Sequence, residues 1–312
     1  MSKLERFTAA AAGSATDRPP VGAWIHFGSA LWEPEDSAAA HLRFYREYDW
    51  DYIKVMNDYR LATPDDIAEI TDEAQFAGLG RAGADYPGFA AQLAVLGLIR
   101  EAAPEAAVIE TVFSPLQTVV RSLGDSVIPH FRRSPDLARE VLDRVTSRLE
   151  EHVGRVRDSG IDGLFLAVTG AASDASSWGI TPEEFSDWIA PFDRRVLRAA
   201  EGLTRIIHAH GDDLNLSLLD DYPAEVFNWS PATSAPTIGD AVRDGRRVVM
   251  AGLDEVQSLY WPPSRVRETV LAARAEAGDR LIVAPGCTLH SDTPPSVFRA
   301  LRESVEPALS LL

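Results

Sequence analysis

Eight short apolar runs, each followed by a segment with helical spacing, restrict this chain to the α/β architectures. The runs fall at residues 21–27, 51–58, 106–113, 164–168, 204–211, 224–230, 247–254 and 281–284. The helical segments fall at 35–48, 89–103, 135–156, 181–200, 213–221, 237–244, 262–277 and 294–305. The clearest places Leu137, Val141, Val145, Leu149, Val153 and Val156 three or four apart, on one helix face. Another opens with Thr181-Pro-Glu-Glu184, which supplies a capping hydroxyl, a first-turn proline and an acidic third position. Eight nearly continuous apolar strands alternating with helices predict a closed (β/α)8 TIM barrel rather than an open doubly wound sheet. The barrel is expected to form one domain over residues 20–312. Residues 1–19 read as an alanine-rich N-terminal arm or helix, broken by Arg18-Pro-Pro20, and residues 60–84 as an insertion over the barrel mouth, a candidate lid.

Composition narrows the function. The formal net charge of -17 repels phosphate backbones and anionic lipid, so neither nucleic acid nor a membrane surface is an expected partner. No apolar run approaches the roughly eighteen residues that a membrane span requires. A single cysteine excludes an internal disulfide, and the first residues lack the apolar core of a secretory signal. The expected location is cytoplasmic, where Cys287 stays reduced.

In such a barrel the chemistry sits at the carboxyl ends of the strands. Here those ends carry His26, Asp58, Glu110, Thr169, His208, His210, Asn228, Asp254 and Cys287. Residues two apart on a strand face the same side, so His208 and His210 are placed to share a metal. Cys287 ends another apolar run and completes a His, His, thiolate set if the two strands open onto one cleft. The plainer reading is an incidental His-x-His pair and a cysteine acting as a small hydrophobe. The position of all three at strand ends beside glycines favours the metal.

Laid out in order, the chain resembles the uroporphyrinogen decarboxylase superfamily, which includes zinc-dependent methyltransferases that act with corrinoid proteins and thiols. The motifs are Asp51-Tyr-Ile-Lys54, Ser114-Pro-Leu116, Ile180-Thr-Pro-Glu-Glu-Phe185, Ile207-His-Ala-His-Gly211, Asn228-Trp229, Ala251-Gly-Leu-Asp254 and Ala284-Pro-Gly-Cys287, spread from about Pro20 to Pro307. True decarboxylases of this family carry an arginine-bearing motif after strand one. Here that place reads Ile25-His-Phe-Gly-Ser-Ala30, with neither arginine. Asp58 matches their pyrrole-contacting aspartate, but their tyrosine falls at Arg121 and their final histidine at Cys287. The methyltransferase branch is the closer match. Its zinc ligands are a His-x-Cys pair and a cysteine in a Pro-Gly-Cys turn, met here by His208 and Cys287, with His210 in place of the middle cysteine. That exchange leaves the site one charge unit more positive and a stronger Lewis acid.

The resemblance therefore implies zinc on His208, His210 and Cys287. The acceptor would be a thiol or another heteroatom nucleophile, and the methyl donor a corrinoid (cobalamin), free or on a partner protein. Asp58, Glu110 and Asp254 are candidates for proton acceptor or for orienting an imidazole, and equally for bonding a loop. His26 either lines the pocket or is a satisfied core histidine, and His290 is a candidate fourth ligand. Lys54 and Arg121 either hold a substrate carboxylate or pair with nearby acids. Tyr59, Tyr222 and Trp229, with Trp32 and Asn228, either wall the cleft or pack. His41, His130 and His152 read as surface residues. Two alternatives stand beside the methyltransferase: a metal-free carboxy-lyase centred on Asp58, and a non-catalytic barrel that binds a small molecule.

Overall fold

The structure, a computed structural model, describes residues 1–59, 69–81, 87–171, 178–278 and 280–306. Seven parallel strands form one curled sheet in sequential order: β1 (Tyr52–Val55), β2 (Ala107–Phe113), β3 (Gly163–Thr169), β4 (Thr204–His210), β5 (Val226–Asn228), β6 (Val248–Leu253) and β7 (Leu281–Pro285). The fold is TIM-barrel-like. Its helices are α1 (Lys3–Ala11), α2 (Pro34–Tyr48), α3 (Glu73–Gly78), α4 (Pro87–Ala102), α5 (Pro115–Leu123), α6 (Ile128–Arg133), α7 (Pro135–Asp158), α8 (Pro182–Trp188), α9 (Ala190–Ala199), α10 (Ile238–Asp244), α11 (Pro263–Ala277) and α12 (Pro295–Glu303). Among the described residues no helix is long and apolar enough to cross a membrane.

The two-residue strand period sorts the core into two layers. Tyr52, Met56, Ile109, Phe165, Ile206, Val226, Val248, Met250 and Ile282 form an inner cluster. Their neighbours Ile53, Val55, Val108, Leu164, Leu166 and Ile207 join the larger layer between sheet and helices. Helix α1, held by a capping box between Ser2 and Glu5, adds Phe7, Ala10 and Ala11 to the inner cluster. The arm thus closes the amino-terminal end of the sheet. It is fastened by Asp51, which is fully buried and accepts from Arg6 Nη1 at 2.7 Å, Arg18 Nη1 at 2.5 Å and the Val21 N–H at 2.8 Å.

The structure departs from expectation in several places. Instead of an eighth regular strand at 21–27 there is an irregular segment with two isolated bridges, Val21 to Val283 and Ile25 to Leu289. It still lies between the two sheet edges, since Val283 donates to Pro20 O at 2.8 Å and Asp51 donates to Val21 O at 2.9 Å. Pro19 and Pro20 remove two donors, and the Tyr52 ring occupies the space beside Gly22, where a Cβ would lie 2.5 Å from Cζ. The expected helix at 181–200 is two helices, divided before Pro191, which has no N–H to offer. The expected helix at 213–221 is one 3-10 turn, Leu216–Leu219, because Asp213 and Asn215 donate instead to Thr233 O and Ala171 O. Helices α5 and α6 were not anticipated. Of the expected mouth insertion, residues 69–81 hold α3, which packs on the α6–α7 side through Phe76 and Phe131, rings 5.1 Å apart. The remainder of that segment, at 60–68 and 82–84, lies outside the described residues.

Candidate functional site

Strand β4 presents His208 and His210 on its inner side, paired in register with Ala167 and Thr169 of β3, and His208 also with Asn228 of β5. Two residues past β7 the chain brings in Cys287. The His210 Nδ1 lies 3.3 Å from Cys287 Sγ, and the two imidazoles stand 5.8 Å apart at 54°. One ligand atom from each of the three residues lies within 4.8 Å of the other two. His208 is buried against the Phe165 ring, stacked at 5.3 Å, whereas His210 sits at the solvent-facing rim.

Gly286 makes this approach possible. A Cβ there would meet Ser230 Cα at 2.7 Å and Glu255 Oε2 at 2.6 Å, so only glycine lets the turn pass close enough to deliver Cys287. Burial pushes the Cys287 thiol up, but the facing His208 and the Thr288 N–H more than cancel this and hold it below its ordinary value. Although the His210 ring meets solvent at the rim, the protein packed around it displaces enough water to lower its basicity. Three buried polar atoms on neighbouring strands, His208 Nδ1, Thr169 Oγ1 and Asn228 Oδ1, have no hydrogen-bond partner among the described residues. Unpaired buried polar groups are costly, and in a cleft they mark a place built for something to bind. The donor set suits zinc: metal–ligand bonds of about 2.0–2.3 Å set tetrahedral ligand separations of roughly 3.3–3.8 Å. The 3.3 Å between His210 and Cys287 meets that span.

The other sequence candidates divide. Asp58 accepts from His26 Nδ1 at 2.5 Å with one oxygen, and from the Ser29 N–H (3.2 Å) and hydroxyl (3.1 Å) with the other. Burial works against this carboxylate, yet those bonds hold it well below the usual range. Lys54 points inward, its amine 2.9 Å from Thr111 Oγ1 and 4.1 Å from the Phe165 ring centre. Arg121 lies over the Phe113 ring at 3.8 Å and donates to Asn57 O, and the Tyr59 hydroxyl donates to Trp32 O. Asn228 faces inward, its amide donating to Met250 O and Pro285 O.

Five other candidates make their polar bonds outside the three-residue group. Glu110 is buried on the outer side of β2, bonded to Gln92 at 2.6 Å and His152 at 3.2 Å. The Tyr222 hydroxyl donates to buried Asp193 of α9, and Trp229 packs outward against Phe227 and donates to Pro236 O. Asp254 accepts the N–H groups of Val256 and Gln257, which caps the following turn. His290 accepts from the Asp292 N–H at the surface, outside the group. His41 and His152 are not surface residues but buried, at 3% and 2% exposure, because both face the sheet from their helices. Sequence reasoning missed Glu255, which accepts from the Ser230 hydroxyl at 3.0 Å and borders Gly286. Burial raises its carboxyl. Its only signal was adjacency to Asp254 at the end of β6.

The fold and site define a TIM-barrel-like α/β protein that gathers two imidazoles and a thiol at the carboxyl edge of a parallel sheet. The family model described as uroporphyrinogen decarboxylase (URO-D) matches residues 56–307, and the chain belongs to that family. Among curated proteins none matches this sequence. Among solved structures, a methyltransferase from Methanosarcina mazei is similar over 97% of this chain and 98% of its own, with 16% identity and a TM-score of 0.78. A B12-independent methionine synthase from a Shewanella species aligns with 68% of this chain and 64% of its own, at 13% identity and a TM-score of 0.50. A GH10 endoxylanase from a sugarcane soil metagenome aligns at 10% identity and a TM-score of 0.52, over 92% of this chain and 97% of its own. At these identities the likeness is one of fold, as the xylanase illustrates.

Proposed function

We propose that this protein is a zinc-dependent methyltransferase of the URO-D family, moving a methyl group from a corrinoid or related donor to a thiol or another nucleophile. The observation that carries this reading is the convergence of His208, His210 and Cys287 from two strand ends. These three residues would hold the ion, which when bound would supply Lewis acidity that favours the anionic form of the nucleophile. Phe165 covers one side of His208 and keeps water from it, and the Gly286 turn fixes the thiol. Asn228 joins β5 to β6 and β7 beneath the mouth. Lys54, Arg121 and Tyr59 belong to the same proposal as groups that border the substrate, and a corrinoid protein as the donor's carrier.

Metal-free decarboxylation centred on Asp58 has less support. Both of its oxygens are engaged by His26 and Ser29, which leaves little capacity to receive the N–H groups of a pyrrole substrate. Metal analysis of the purified protein tests the main reading. About one zinc per chain is expected, lost in His208→Ala, with methyl transfer to a thiol dependent on the metal. A protein that binds no zinc after metal loading would end it.

A further inference from the structure

We propose that Glu255 receives a cationic group of the nucleophile, so that the acceptor taken up beside His208, His210 and Cys287 is an amine-bearing thiol, an inference that rests on the methyltransferase reading. Glu255 follows β6 and stands against the turn that delivers Cys287. Its Oε2 fills the space that a side chain at Gly286 would take, 2.6 Å from where the Cβ would lie, and accepts from the Ser230 hydroxyl at 3.0 Å. The carboxylate is beside the three-residue group without belonging to it, since that group is drawn from His208, His210 and Cys287 alone. Both His210 and Cys287 feel its charge.

That charge has no counterpart in the protein. Among the described residues no lysine or arginine pairs with Glu255, and the charges that act on it most, Asp254 and Asp212, are themselves negative. Asp254 is committed to the N–H groups of Val256 and Gln257, and Asp212 stands exposed two residues past His210. The cations of the mouth are engaged on the β1 and β2 side, Lys54 by Thr111 and Arg121 by Asn57. Even the charge of a bound zinc ion would be matched by the Cys287 thiolate and the nucleophile's own anion, which leaves none for Glu255. A carboxylate held partly out of water in such surroundings gains from an arriving cation.

Acidic side chains alone would make only a solvated rim. Asn228 adds an independent demand. It is fully buried and pairs in register with His208, so its side chain turns to the same inner side. Its Nδ2 donates to Met250 O at 2.6 Å and Pro285 O at 3.1 Å, while its Oδ1 has no partner among the described residues. An orphaned acceptor calls for a donor hydrogen. Asn228 and Glu255 meet at one turn, because the first holds Pro285 and the second borders Gly286 and bonds Ser230. A thiolate or carboxylate brings no hydrogen to such a place, and a hydroxyl brings one without charge. An ammonium brings several donors together with the missing positive charge.

The test measures binding of 2-aminoethanethiol and 2-mercaptoethanol to the zinc-loaded full chain by calorimetry. Glu255→Gln keeps the size of the side chain and an oxygen for Ser230. It should retain zinc and weaken the aminothiol by about tenfold or more, with mercaptoethanol changed by less than about threefold. Comparing each thiol with itself across the two proteins removes their different acidities. In methyl transfer the same split should appear in KM. In the wild type, added salt should weaken the aminothiol more steeply than mercaptoethanol. Equal salt slopes, or an equal change for both thiols in folded, zinc-bearing Glu255→Gln, overturns the inference and leaves the methyltransferase reading intact. Loss of zinc from the folded variant overturns it too, by making the carboxylate a ligand. Absence of both thiol binding and methyl transfer in the zinc-loaded wild type, by contrast, counts against that reading itself and takes the inference with it.

Discussion

His210 Nδ1 and Cys287 Sγ lie 3.3 Å apart although 77 residues separate them in the chain. No local interaction brings them together. The order of the parallel strands does, because β4 and β7 both end at the same edge of the sheet.

If zinc is what this pair holds with His208, Cys287→Ser should weaken metal affinity by about 100-fold or more while leaving the fold intact, as competition with a chelating dye would show. His210→Cys should retain zinc and, by adding a thiolate, make the site less electrophilic. Equal zinc affinity in wild type and Cys287→Ser would remove the thiolate from the coordination set.

Gly286→Ala should destabilise the protein by roughly 1–3 kcal/mol, because the added methyl meets the Ser230 backbone. Adding Glu255→Ala should not rescue it, since the carboxylate can move aside and the Ser230 Cα cannot. Urea midpoints of the single and double variants decide this, and an unchanged midpoint for Gly286→Ala would mean that the turn has room to spare.

Two buried groups set opposing pH dependences. Burial lowers His41 to about 4, with Nδ1 bonded to Ser37 O and Nε2 accepting the Met56 N–H. The unfolded chain then binds more protons below the ordinary 6.5, so stability is full above that pH and is lost as pH falls toward 4, by about 3 kcal/mol. Burial raises Asp193 to about 7, so its term is present at low pH and is lost as pH rises from its ordinary 3.8 through 7. The two largely cancel in the wild type. Asp193→Asn should expose the His41 slope in denaturant unfolding between pH 6.5 and 4. A variant as flat as the wild type over that window would contradict the assignment.

Asp51→Asn should cost about 1–3 kcal/mol, because it takes the buried carboxylate from Arg6 and Arg18, which keep only the more exposed Asp17 and Glu306 as partners. The arm would then loosen from the amino-terminal end of the sheet, and proteolysis should cut first near residues 12–18. Unfolding midpoints and the cleavage pattern report this directly.

The alternation of runs foretold most of the strands, the long helix α7 and the single parallel sheet, since apolar periodicity is a local property of the chain. It also singled out the three candidate ligands, because strand ends in a parallel barrel-like sheet meet at one edge. Tertiary structure decided the rest. Glu110 lies at a strand position that sequence marked as promising, yet a one-residue parity turns it outward to Gln92 and His152. The first expected strand makes only two isolated bridges to the β7 side, and the Tyr52 ring, distant in sequence, fills the space beside its Gly22. His41 and His152 are buried by helix faces whose orientation depends on the sheet they cover. Composition and period act over a few residues, whereas which face is turned inward and which polar groups find partners is settled only when the whole chain has packed.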